Sequence, residues 1–143
     1  METTSESKAE QLVFSDEKTA MLFKDYQNLQ QALFKSDTQA AQTAAGKLKK
    51  SAGSLSPEIE KIAGEMAVQT NLEEIRSSFS TISMQVETIL TENLLDGTLY
   101  KQFCPMALDN KGAYWMAEVK EINNPYFGSR MAKCGRTVET ISR

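Results

Sequence analysis

The strongest pattern in this chain is a stripe of apolar side chains that recurs every three or four residues between Leu72 and Ile89. Steps of this size place the side chains on one face of an α-helix. An apolar face of this length has to be buried against other elements, and Asn71 stands where it can cap the first turn. The chain is therefore expected to form a packed set of helices. The stripe consists of Leu72, Ile75, Phe79, Ile82, Val86 and Ile89.

Three shorter amphipathic segments precede this helix. The first is predicted for residues 15–34, where Ser15 can accept a hydrogen bond from a free backbone N–H. The second begins after Asp37 and has an inner face made mostly of alanine. The third begins at Pro57, because proline is tolerated at the first helical position. Four amphipathic helices with short connections favour an antiparallel four-helix bundle over about residues 15–95.

After Gly97 the pattern changes to one typical of β-structure. Residues 99–104 are rich in aromatic side chains and alternate with a period of about two, which predicts a strand. A turn follows, in which Gly112 can adopt a positive φ, and residues 113–116 can return as the second strand of a hairpin. A short helix or strand is predicted for residues 129–141.

This C-terminal tail, residues 97–143, is too small to fold alone. An isolated hairpin is only marginally stable in water, so its aromatic side chains are expected to pack onto the helices. We therefore predict a single domain over residues 13–143, preceded by a mobile N-terminal tail of residues 1–12. The fold class is mainly α, a helical bundle with a small tail that contains a β-hairpin. The aromatic side chains expected to pack on the bundle are Phe103, Trp115, Tyr126 and Phe127.

The composition excludes several classes of function. The chain of 143 residues has no histidine, which excludes Ser-His-Asp and Cys-His catalysis and every histidine metal site. Its net charge is −3 without a long basic tract, so nucleic acid is not an expected partner. No apolar run approaches the roughly 20 residues of a transmembrane helix. An enzyme is not expected. The methionines of the helical segments are expected to fill the core: Met21, Met66 and Met84.

The candidate site lies in the tail. Cys104 and Met106 stand at one end of a 31-residue segment, counting both cysteines, and Met131 and Cys134 stand at the other. If the segment folds back on itself, four soft sulfur atoms converge, a set that suits Cu(I) and related ions. Two other interpretations are a Cys104–Cys134 disulfide, with the methionines filling core space, and two buried free thiols. The residues alone leave all three open.

Four blocks of the tail resemble the signature of a bacterial family of unknown function. Its members are typically exported envelope proteins or domains, sometimes found with heavy-metal efflux adaptors. The helical part is similar to the family only loosely, and Met116-Ala117 stands where the family usually has Leu-Ser after the tryptophan. The blocks follow in matching order across 33 residues: Phe103-Cys104-Pro105-Met106-Ala107, Asn110-Lys111-Gly112-Ala113-Tyr114-Trp115, Ile122-Asn123-Asn124-Pro125-Tyr126-Phe127-Gly128, and Met131 with Cys134-Gly135.

The resemblance implies a periplasmic or lipid-anchored envelope protein whose native leader is absent from this chain. It also implies a link to copper or other heavy metals, with envelope metal-efflux components as partners. An oxidising compartment favours a disulfide as well. We expect a non-enzymatic domain that binds or relays a soft metal ion such as Cu(I) through Cys104, Met106, Met131 and Cys134, with no other cofactor. The alternative is a structural or protein-interaction module whose tail is pinned by a Cys104–Cys134 disulfide.

Overall fold

Four amphipathic helices lie between Glu17 and Asn93 in the computed structural model, which describes residues 12–143. The mainly helical class predicted from the sequence is confirmed, and a C-terminal sheet follows the helices. The predicted N-terminal tail lies outside the described residues, apart from Leu12. The helices are α1 (Glu17–Phe34), α2 (Thr38–Ala52), α3 (Pro57–Met66) and α4 (Leu72–Asn93).

Each helix begins at a short polar side chain that accepts a hydrogen bond from a backbone N–H of the first turn. The caps predicted for α2 and α4, Asp37 and Asn71, are confirmed. For α1 the predicted cap was wrong, because Asp16 accepts from the Thr19 N–H at 2.7 Å while Ser15 Oγ donates to Asn93 at 2.8 Å. A carboxylate is the stronger acceptor at the positive end of a helix. This hydrogen bond from Thr19 lowers the pKa of Asp16.

The helices bury their apolar faces against one another. Consecutive helices are in contact, and α1 also contacts α4. The central side chains of the α4 stripe are fully buried, and the buried face of α2 consists of alanines and Leu48, which lets its neighbours approach closely. Met66 is buried as predicted, whereas Met21 and Met84 are 50% and 63% exposed. That prediction was wrong for these two because neither lies on the buried face of its helix.

The tail forms a three-stranded antiparallel sheet in the order β4-β3-β5, with β3 (Thr98–Cys104), β4 (Ala113–Ala117) and β5 (Arg136–Ser142). The predicted hairpin is confirmed as β3–β4. A short helical segment, α5 (Ala107–Asn110), connects its strands.

The structure adds detail to one predicted segment and contains one pair of strands that the sequence did not predict. The segment predicted as helix or strand contains both a 3₁₀ turn (Gly128–Met131) and β5. Strands β1 (Val13–Phe14) and β2 (Leu94–Asp96) form a separate antiparallel pair that was not predicted. Within residues 12–143, no helix combines the length and apolar character needed to cross a bilayer.

The sheet is a middle layer between α4 and the segment that follows β4. On one face, Lys101 Nζ lies 3.1 Å from a carboxylate oxygen of Glu87 on α4. Neighbouring residues of a strand point to opposite faces, and Gln102 accordingly donates to the carbonyls of Val119 and Lys120 on the other side, both at 3.1 Å. The tail therefore packs on the helices through one face and covers the other with its own loop.

The outer edge of β4 is closed by two tyrosine side chains. Tyr26 of α1 accepts a hydrogen bond from the Met116 N–H at 3.0 Å, and its hydroxyl lies 2.7 Å from Ser83 Oγ. Tyr126 donates to the Tyr114 carbonyl at 2.7 Å. Burial raises the pKa of both phenols, so both stay protonated at neutral pH. These hydroxyls satisfy backbone groups that a neighbouring strand would otherwise bond.

A buried arginine joins the tail to the helices. Arg76 of α4 donates through Nε to the Pro125 carbonyl and through Nη2 to the Leu33 carbonyl, both at 2.8 Å. Nη2 also donates to Ser36 Oγ at 3.1 Å, and Nη1 contacts the Glu73 carboxylate at 3.1 Å. One guanidinium thus binds the end of α1, the first turns of α4 and the loop after β4.

The aromatic side chains of the tail divide between core and surface. Trp115 and Tyr126 are buried and Phe127 packs against the core, as predicted. Phe103 does not join the core, and the prediction for it was wrong. It lies on the same face as Lys101, opposite to Trp115, with its ring 4.7 Å from that of Tyr114. Glycine is required beside it, because Gly112 has φ +86° and an added Cβ would lie 2.7 Å from the Phe103 ring.

Candidate functional site

The fold brings the two cysteines into contact. Cys104 is the last residue of β3, and Cys134 lies two residues before β5 begins. Because β3 and β5 are antiparallel with Phe103 opposite Arg136, the two cysteines meet where this strand pair ends. Their Sγ atoms are 2.9 Å apart, and both are free thiols. The structure therefore brings together the two thiols of the candidate site.

The backbone around Cys134 is held by a buried asparagine. Asn124 is fully buried, donates through Nδ2 to the Cys134 carbonyl at 2.9 Å, and accepts from the Tyr126 N–H at 2.7 Å. Its own N–H donates to the Ala132 carbonyl at 2.9 Å. An asparagine before a proline is a turn signal, but this bond to the cysteine segment depends on tertiary structure and was not predicted. Asn124 therefore fixes where Cys134 sits.

The two thiols differ in access to solvent. Cys104 is fully buried, whereas Cys134 is half-buried. The hydrogen bond with Cys104, followed by burial, raises the pKa of Cys134 to about 11. Nucleophilic attack requires the thiolate, so the raised pKa does not favour Cys134 as an activated nucleophile.

The two methionines of the predicted site are close to the cysteines in sequence and differ in exposure. Met106, in the turn after β3, is 45% exposed. Met131 ends the 3₁₀ turn and is half-buried, and its carbonyl accepts from the Cys134 N–H at 3.1 Å. Within residues 12–143, Cys, Asp and Glu side chains nowhere form a group of three or more that could hold a metal ion. Thioethers are therefore the additional ligands to test for a metal at the cysteine pair.

The turn that follows Cys104 has an unusual backbone. Leu108, Asp109 and Asn110 all have positive φ, at 54°, 57° and 66°. Left-handed conformations cost roughly 1–2 kcal/mol for a residue with a side chain, although aspartate and asparagine tolerate them better than leucine does. The Gly112 N–H closes this turn by donating to the Ala107 carbonyl at 2.9 Å. The sequence indicated a turn here, but no local signal places leucine in this conformation.

Comparison with known proteins identifies one family. A model of the family described as "Protein of unknown function (DUF3347)" matches residues 22–96. This match covers 75 of the 143 residues, from α1 to β2, and ends before the cysteine-bearing tail. No curated protein and no solved structure matches the chain. Since the matched region is more than half of the sequence, the chain belongs to the DUF3347 family of proteins of unknown function.

Proposed function

We propose that this chain is a non-enzymatic protein-interaction domain of the bacterial envelope whose tail is pinned by a Cys104–Cys134 disulfide. The observation that carries the proposal is the 2.9 Å separation of the two Sγ atoms. A disulfide bond is about 2.05 Å long, so the sulfurs need to approach by only about 0.9 Å. The α1–α4 helices serve as an antiparallel four-helix scaffold on which the tail is displayed.

Formation of this bond removes a proton and an electron from each thiol. A disulfide-exchange partner of the oxidising compartment accepts the electrons and is itself reduced to a dithiol. An envelope location is supported by the resemblance of the tail and by the persistence of disulfides in such compartments. The high pKa of Cys134 supports a structural role over a catalytic one, because a catalytic thiol requires a stabilised thiolate.

Counting thiols tests this proposal directly. Protein secreted into an oxidising periplasm and unfolded in urea without reductant is expected to contain no free thiols, and two after reduction. Unfolding exposes the buried Cys104, so a low count cannot result from poor access. Two free thiols in the unreduced protein would contradict the disulfide. The Cys104→Ala variant serves as the control, since it can form no intramolecular bond.

A second candidate function uses the same sulfurs to bind or relay a soft metal ion such as Cu(I) for envelope metal-efflux components. It is favoured by the position of the pair near the surface, with Cys134 half-buried and Met106 exposed. Two thiolates on one tetrahedral ion with bonds of about 2.3 Å lie about 3.8 Å apart. The thiols would then have to separate by about 0.9 Å, a change as small as the one that a disulfide requires.

Replacement of the thioethers tests this candidate. Reduced protein, titrated anaerobically with Cu(I) against a chromophoric chelator, is expected to bind one equivalent and to retain no free thiol. Met106→Leu with Met131→Leu is expected to weaken Cu(I) binding about tenfold or more, because a soft ion loses two soft ligands. Met21→Leu with Met84→Leu removes two other exposed thioethers and provides the matched control. Equal affinity for both double variants would exclude Met106 and Met131 as ligands.

A further inference from the structure

A line of stacked side chains crosses one face of the sheet near the cysteine pair. Lys101 Nζ lies 4.6 Å from the centre of the Tyr114 ring, which lies 4.7 Å from that of Phe103. The guanidinium carbon of Arg136 lies 5.6 Å from the centre of the Phe103 ring. We call these four residues the basic–aromatic stack. Each contact joins neighbouring strands, so the stack places Arg136 at a defined position on β5.

Arg136 is the cation of the stack that has no acidic partner among the described residues. It is exposed, and among residues 12–143 no carboxylate lies within ion-pair distance of its guanidinium. Lys101, by contrast, is paired with Glu87. A guanidinium packed on an aromatic ring keeps its N–H edges available and matches a carboxylate through two parallel hydrogen bonds. Arg136 is thus oriented to receive an acidic group.

The strand that carries Arg136 is also the open edge of the sheet. Tyr26 and Tyr126 close the edge at β4, whereas no strand within residues 12–143 pairs with the outer side of β5. Most β5 side chains are exposed, including Val138. A free strand edge binds an extended segment through main-chain hydrogen bonds, and the side chains beside it determine which segment fits.

The distribution of charge favours an acidic partner for this edge. Residues 97–143 contain seven Lys and Arg against four Asp and Glu, a net charge of +3. Residues 1–96 contain nine against 15, a net charge of −6. The tail is therefore basic in a protein that is acidic as a whole. Glu139 lies on the same strand as Arg136, so a segment of mixed acidic and apolar residues fits this edge better than a purely acidic one.

We propose that β5 and the basic–aromatic stack form a docking surface for an extended acidic segment of a partner protein. The segment adds to the sheet as a fourth strand and places a carboxylate on Arg136. This inference rests on the proposed interaction function and names the surface and partner chemistry that it requires. The disulfide, where present, holds the strand ends from which Phe103 and Arg136 project.

Two capped seven-residue peptides provide the probe. One alternates valine with glutamate, and the other has lysine in place of each glutamate. Backbone amide chemical shifts of the ¹⁵N-labelled protein are recorded during titration. We expect the glutamate peptide to shift the amides of β5 and to bind at least about tenfold more tightly than the lysine peptide, because Arg136 attracts the first peptide and repels the second. Equal binding of both peptides, or shifts confined to α1–α4, would overturn the proposal.

Charge reversal at Arg136 tests whether peptide binding depends on this surface or only on the net charge of the protein. Arg136→Glu is expected to weaken binding of the glutamate peptide about tenfold or more, and Arg136→Gln by a smaller factor. Lys61→Glu on α3 changes the net charge equally at an exposed position in a different element and should leave the affinity within about twofold. Equal weakening by Arg136→Glu and Lys61→Glu would refute a specific surface, as would binding to phosphatidylglycerol vesicles without binding to the peptide.

The titrations are made with oxidised and with reduced protein, and the thiols are counted in each sample. Peptide selectivity in unreduced protein that retains two free thiols would support the docking surface and refute the disulfide. A thiol-free protein without selectivity would do the reverse. Each of the two proposals can therefore be refuted without refuting the other.

Discussion

Replacing Arg76 by methionine is expected to lower the free energy of unfolding by about 2–4 kcal/mol. Methionine keeps an unbranched apolar stem but removes all the donors of the guanidinium. The Pro125 carbonyl loses its 2.8 Å hydrogen bond, and Ser36 Oγ loses a charged donor. The Leu33 carbonyl is affected less, because it also accepts from the Ser36 N–H at 3.0 Å. Urea denaturation followed by circular dichroism measures the change.

Glu73, whose carboxylate pairs with Arg76, provides a matched control. Glu73 is 73% exposed in its side chain, and exposed ion pairs contribute roughly 0–1 kcal/mol. Glu73→Gln is therefore expected to change the free energy of unfolding far less than Arg76→Met does. Arg76→Lys keeps the charge, but an ammonium cannot reproduce the planar fork, and most of the loss is expected to remain. An equal cost for Arg76→Met and Glu73→Gln would show that the ion pair, not the buried hydrogen bonds, stabilises the tail.

Arg76 also shows what a sequence does not reveal. In the sequence Arg76 follows Ile75 of the α4 stripe. An arginine beside an apolar stripe ordinarily buries its aliphatic stem and keeps its guanidinium in water. Its acceptors lie on α1 and on the loop after β4, more than 40 residues away in each direction. Such a contact depends on the assembled fold and leaves no periodic trace. The same holds for Asn124, whose side chain is bound to the Cys134 segment.

The features that could be predicted are local or strictly periodic. The side chains of Asp37 and Asn71 each accept a hydrogen bond from the backbone N–H three residues later. Neighbouring residues therefore suffice to predict these caps. The β3–β4 hairpin follows from alternation and turn chemistry. In contrast, β1 has only two residues and pairs with β2, some 80 positions later. A strand this short carries no periodic signal, and its pairing exists only because α1 and α4 pack together.

The sequence indicates which residues belong to the cysteine site but not the oxidation or ligation state of the thiols. Two thiols at the ends of one segment meet only if the segment folds back on itself, and in the structure their sulfur atoms are in contact. Whether the thiols are bonded, bound to metal or free depends on oxidant and metal supply, which are properties of the compartment. The 2.9 Å separation places the sulfurs within about 0.9 Å of either bonded state, and thiol counting and metal titration distinguish the states.

Replacing both cysteines, as Cys104→Ala with Cys134→Ala, is expected to lower the free energy of unfolding of the oxidised protein by about 3–4 kcal/mol. The bond closes a segment of 31 residues, counting both cysteines, and its loss restores conformational freedom to the unfolded chain. Alanine is the appropriate replacement because Cys104 is fully buried. A serine at this position would bury a hydroxyl in the core at a cost in stability. The measurement is urea denaturation without reductant.

Reduction of the native protein separates the bond from the packing of the sulfur atoms. If the disulfide is present, a phosphine reductant destabilises the wild-type protein by most of the same amount and leaves the double alanine variant unchanged. If the thiols hold Cu(I) instead, the reductant has little effect, and a Cu(I) chelator lowers stability because a ligand of the folded state is withdrawn. A wild-type protein that responds to neither reagent has two packed free thiols, and both the disulfide and the metal site would then be wrong.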